Sequence, residues 1–180
     1  MIYQAVYIVL CFIADFIIGD FLPLDFAAKS MIFVPALGFC SLILISRKLD
    51  ITDSIFLSLG AGFVYGLFLP GSLLLYPILF MLVIMVTHMW SVNLNDTIIE
   101  LLILLLMAIF VKEFLLYQYM TISGVTTLGF ISWVRVYLFI SIFGHIPLLL
   151  GIIYFYRHVL KLTQKNIRRK QNREQLVWKK

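Results

Sequence analysis

The sequence predicts an all-α membrane bundle of six transmembrane helices, and three observations carry that expectation. The 180 residues are 63% hydrophobic and only 13% charged, with a mean hydropathy of +1.05. A soluble domain carries about a quarter charged residues. No small water-soluble sphere can hide this much apolar surface, so the bilayer must be the solvent. The apolar residues also fall into six runs joined by short connections, and the basic residues gather where a six-span path puts them on one side of a membrane.

The first run extends from Ile2 to Ile18, the second from Met31 to Ile45 and the third from Ser54 to Leu69. The fourth covers Ser72 to Trp90, the fifth Thr97 to Tyr119 and the sixth Ile131 to Tyr156. A perpendicular span needs about 20 apolar residues. The second and third runs fall short, so they should thin the bilayer, borrow flanking residues or sit shielded by longer helices. The first run lacks a basic leader and a small-residue cleavage site, and it reads as a retained helix.

The connections carry turn signals. Asp20, Pro23 and Asp25 separate the first two runs, Ser46 to Asp50 the next pair, and Pro70-Gly71 the third from the fourth. Before the fifth run, Thr97 and Glu100 have the spacing of a capping box. Thr121 to Thr127, with Gly124 at its centre, leads into the sixth. Loops this short imply antiparallel neighbours in a compact bundle.

Charge sets the expected orientation. From Arg157 onward the chain carries nine of its fourteen basic residues against one acid, Glu174. With this tail in the cytoplasm, six spans place the N-terminus and the Arg47/Lys48 loop there as well, and the Asp20/Asp25 loop outside. Residues 1–156 then form a six-helix transmembrane domain, and 157–180 a basic cytoplasmic tail. Beyond orienting the chain, Arg168, Arg169, Lys170 and Arg173 are candidates for docking on the membrane surface or a partner, with the tail helix lying near the membrane. Nucleic-acid binding is not expected, because no recognised fold or aromatic interleaving accompanies the charge.

Ser58, Gly62 and Gly66 recur every four residues on one face of the third run, which lets another helix approach closely. A groove for a ligand is the functional alternative. Asp15, Lys112, Glu113 and Arg135 are the candidates for polar contacts within the membrane, where an ionisable group needs a partner or a wet face. Adjacent helix positions point about 100° apart, so Lys112 and Glu113 are not expected to pair with each other. Lys112 and Glu113 either snorkel outward, meet a group such as Arg135 inside the bundle, or line a proton or ion pathway. His88 and His145 read as packing residues rather than metal ligands, and Cys11 and Cys40 as packing residues rather than a disulfide. No hydrolase, metalloprotease or phosphate-loop motif occurs, so no catalytic residue, cofactor or metal is assigned.

The stretch from Gly62 through Tyr65, Gly66, Pro70 and Gly71 to Tyr76-Pro77, with Pro35 in the second run, the acidic first loop and the basic tail, resembles the MreD family of rod shape-determining membrane proteins. Gly66 stands where many members have an acidic residue. The resemblance implies a non-enzymatic scaffold of the bacterial cell-elongation machinery in the plasma membrane. Its expected partners are MreC, the filament protein MreB and a RodA-type peptidoglycan synthase. It also implies a fold similar to the six-helix substrate-binding components of energy-coupling-factor transporters. That likeness supplies the alternative, a membrane component that captures a small vitamin-type molecule for uptake.

Overall fold

The computed structural model describes residues 2–21, 33–68, 73–91 and 94–177, with side chains left out at 2, 167, 168 and 170–177. The described residues are helical wherever they are regular. The helices are α1 (Ile2–Phe21), α2 (Leu37–Ser46), α3 (Ile51–Leu67), α4 (Leu75–Ser91), α5 (Ile98–Ile122), α6 (Phe130–Trp133) and α7 (Phe139–Val177). A π-helical turn, Val134–Leu138, joins α6 to α7 without a break, so these three make one sixth rod. The stretches Tyr3–Phe21 and Phe130–Asn166 are long and apolar enough to cross a membrane, while α2, α3 and α4 are shorter apolar helices.

The bundle is built around α2. All ten of its residues are buried, and it touches α1, α3, α4, α5 and α7. Its uniform apolarity explains the position, since a helix with no polar face must be enclosed on every side. The sequence places the start of this element at Met31, but residues 33–36 are not helical. Pro35 accounts for the difference: it disfavours helical geometry at Val34 and cannot donate a backbone hydrogen bond. The chain therefore enters the bundle as a non-helical segment, with Pro35 and Ala36 buried, and turns helical only at Leu37.

Two other boundaries differ from expectation. The sixth apolar run stops at Tyr156, yet α7 continues unbroken to Val177. Its 39 residues make a rod about 58 Å long at 1.5 Å per residue. No turn separates a domain from a tail. The fifth element extends three residues past Tyr119 and closes with a Schellman motif. Val125 N–H donates to Met120 O at 2.9 Å and Gly124 N–H to Thr121 O at 3.2 Å. Gly124 has φ +69°, which glycine adopts without a side-chain clash. The Asp25/Lys29 part of the first connection, the Pro70-Gly71 connection, and the side chains of Arg168, Lys170 and Arg173 lie outside the described residues. Arg169 is exposed.

The outward faces are apolar. Val9, Ile17, Phe56, Ile78, Ile103 and Phe139 are all exposed on the surface of the bundle. Between α3 and α4 the small residues Ser54, Ser58, Gly62 and Gly66 are buried. A Cβ on Gly62 would lie 2.5 Å from Cα of Pro77 and 2.7 Å from its nitrogen, so the two backbones meet there.

Candidate functional site

A line of polar groups crosses the interior. Its first member, Asp15 on α1, is 4% exposed. Its carboxylate accepts from Leu37 N–H at 2.6 Å and from Gly38 N–H at 2.7 Å. These are the first two orphan donors of α2, whose own N-cap, Ala36, offers no side-chain acceptor. A residue 22 positions earlier therefore does the work a local Ser or Asp usually does. The helix end carries about half a positive charge, which suits a carboxylate. Gly38 is required here because a Cβ would strike the Phe12 ring. Asp15 also lines a small cavity with Lys112, Phe39, Tyr65 and Tyr76, of about 10 Å³, which is near the minimum for one water.

Lys112 on α5 is the next member. It is 7% exposed, its ammonium lies 6.0 Å from the Phe39 ring centroid, and it pairs with Glu113 at 2.7 Å. The angular argument that kept these neighbours apart fails because both side chains are long and flexible enough to converge. Arg135 does not join them. It sits on the π-helical turn and is exposed, so the sequence expectation of an Arg135 contact is corrected to a Lys112–Glu113 pair. The outward-snorkelling alternative is corrected with it, since both side chains are largely enclosed.

Glu113 opens onto a second cavity at the α5–α6 end of the bundle. It measures about 70 Å³ and is lined by Glu113, Tyr117, Leu128, Trp133 and Tyr137, among others. Tyr117 stacks on Trp133 with centroids 4.6 Å apart, and its hydroxyl donates to Leu128 O at 3.0 Å, which fastens the α5–α6 loop over the cavity. A π-helical turn sits here: it follows Trp133 and contains Tyr137, and both residues line the cavity. Neither the aromatic lining nor this turn was visible in the sequence, where Trp133 and Tyr137 read as ordinary apolar positions. His145 is fully buried, its Nδ1 on Ser141 O and its ring 4.6 Å from Phe33.

A larger cavity of about 520 Å³ lies between α1 and α7, bounded by Leu10, Ala14, Pro147, Gly151 and Phe155. Its walls are almost wholly apolar, so it offers volume without converging polar groups. The smaller aromatic cavity is the better candidate, because a recognition site needs placed polar groups more than space.

At the opposite end, three segments are clasped. Asp96 pairs with Arg47 at 3.3 Å and with Lys48 at 2.8 Å. Arg157 donates to the Asp96 carbonyl, and Arg47 to Leu94 O at 3.3 Å. The Lys48 hydrogen bond, with help from Arg47 and Arg157, holds the Asp96 carboxyl below its usual value. The α2–α3 loop, the α4–α5 loop and the middle of α7 thus share one end. Thr97 caps α5 by accepting from Glu100 N–H at 3.3 Å, while the Glu100 carboxylate takes Asn95 at 3.4 Å. Among the described residues, no group of three metal-binding side chains comes together, His88 and His145 included. Comparison with protein-family models, with curated proteins and with solved structures finds no match.

Proposed function

We propose that this chain is a six-span protein of the bacterial plasma membrane that acts as a non-enzymatic scaffold for cell elongation, in the manner of MreD. Both termini are cytoplasmic in this reading. The observation that carries it is the continuity of α7 from the bundle core to Val177. A continuous helix leaving the membrane with Arg157, Lys161, Lys165 and Arg169 along it is a handle through which motion or force passes between a cytoplasmic partner and the spans. The apolar outer faces of the helices support the bilayer as their solvent. The shared end of Arg47, Lys48 and Arg157 supports an inside face by the positive-inside rule. The partners proposed are MreC, MreB and a RodA-type synthase, and the output is peptidoglycan synthesis directed along the cell wall.

The test is complementation in rod-shaped cells that lack the native MreD. The full chain restores rods and copurifies with MreC, while a chain lacking Asn166 to Lys180 inserts normally and restores them poorly. Round cells with the full chain at normal levels would sink the scaffold reading. Equal rods from both chains would sink the role of the helix. The second reading, capture of a small molecule for uptake, is favoured by the cavity beside Glu113. It calls for copurification with an energising module instead of MreC.

A further inference from the structure

We propose that the cavity bounded by Glu113, Tyr117, Trp133 and Tyr137 is a binding site for an organic ammonium group, carried by a lipid headgroup or by a free amine. The first argument is charge. The polar line holds two carboxylates, the buried Asp15 and the partly buried Glu113, and one ammonium, Lys112. Asp15 is already answered by two backbone N–H groups and the N-terminus of α2. Lys112 stands between the two acids, lining the small cavity with Asp15 and pairing with Glu113. Reading outward, the order is helix dipole, carboxylate, ammonium, carboxylate. A cation in the cavity beyond Glu113 continues the alternation and gives the Glu113 carboxylate a second positive neighbour on its cavity side.

The second argument is the lining. Tyr117, Trp133 and Tyr137 give the cavity π-rich walls, and an ammonium ion is the polar group such walls accept best. The third is size and access. The cavity, about 70 Å³, exceeds the roughly 10–15 Å³ that one water needs by the same measure. Glu113 keeps 12% of its side chain exposed, against 8% for Lys112, so the carboxylate is the more accessible partner of the pair. The fourth is construction: the π-helical turn Val134–Leu138 carries Tyr137 and follows directly on Trp133, both in the cavity wall, and such turns recur at functional sites. Anions are disfavoured, since the charged side chain lining the cavity, Glu113, is a carboxylate.

The site needs only the fold, so its failure would leave the scaffold reading standing. The experiment uses the full chain with Trp90→Phe and Trp178→Phe, which leaves Trp133 as the sole indole. Trp133 fluorescence is followed while ethanolamine is titrated into detergent-purified protein, with ethylene glycol as the uncharged control. It is also compared in nanodiscs of phosphatidylethanolamine and of phosphatidylglycerol. A saturable change with ethanolamine supports a free-amine ligand. A change confined to phosphatidylethanolamine discs supports a lipid headgroup. Either response weakens at least tenfold in Glu113→Gln and in Met120→Phe, which fills the cavity without altering a charge. No response to either amine, an equal response to ethylene glycol, or an undiminished response in the folded variants overturns the proposal. Should Glu113→Gln not fold, Met120→Phe decides.

Discussion

The Asp15 carboxylate on α1 accepts the Leu37 N–H at 2.6 Å and thereby caps a helix that begins 22 residues later, inside the bundle. This contact joins the first helix to the central one and starts the polar line that ends at Glu113. Asp15→Ala leaves two buried donors without acceptors, which costs about 1–3 kcal/mol. Asp15→Asn keeps one acceptor oxygen and costs less. Thermal unfolding in detergent, followed by size-exclusion chromatography, should rank wild type above Asn and Asn above Ala. An Ala variant as stable as wild type would mean the cap contributes nothing.

Two glycines on α3 provide a matched pair. Gly62→Ala forces a Cβ to within 2.5 Å of Pro77, whereas a Cβ on Gly60 meets nothing within 4 Å. Overpacking of backbone against backbone costs about 1–3 kcal/mol. Gly62→Ala should therefore lower the melting temperature and the protein level. Gly60→Ala should leave both unchanged or raise stability slightly, because alanine is the better helix former. Equal behaviour of the two variants would remove the α3–α4 contact as the reason for the small-residue face.

The Asp96 clasp gives a pH dependence with a definite sign. Lys48, Arg47 and Arg157 hold the Asp96 carboxyl below its unfolded value, which is about 3.9. Its contribution is present above that value and is lost as pH falls through the lowered folded value. Asp96 is 45% exposed, so the contribution is at most about 1 kcal/mol and shrinks with salt. The stability gap between wild type and Asp96→Asn should be open at neutral pH and close below about pH 4. A gap that widens on acidification would contradict the assignment.

The proposed orientation is testable with single cysteines at Lys48, Gly71, Gly124 and Gln175, in a chain with Cys11 and Cys40 replaced by serine. A membrane-impermeant thiol reagent applied to intact cells should label 71 and 124 and spare 48 and 175. Labelling at 175 from outside would break the six-span path.

Much of this architecture was legible along the chain. Apolar runs bounded by Pro, Gly and charged turns locate α1, α3, α4 and α5 to within a few residues, because helix ends depend on local chemistry. The Gly124 stop and the Thr97 cap are of the same kind. Asp15 was marked as needing a partner, but which partner depended on where a distant backbone ends. The sequence reads the tail as helical, but its unbroken continuity with the sixth span is legible only in the fold. Hydropathy records where the apolar run stops, and a polar helix continues past that point without any change in backbone geometry.

By itself, then, the sequence determined an all-helical chain with six apolar segments, basic residues at one end of the bundle, and a small-residue face on α3. These follow from periodicity, punctuation and charge, which act over a few residues or sum over the whole chain. Only the tertiary structure decided that α2 is the enclosed axis, that Asp15 caps it, that Lys112 turns to Glu113 rather than Arg135, and that Trp133 and Tyr137 wall a cavity. Each of those outcomes depends on which groups are brought within hydrogen-bonding or ring-contact distance. A buried ionisable group takes whichever partner the packing leaves nearest, and packing is a property of the assembled helices.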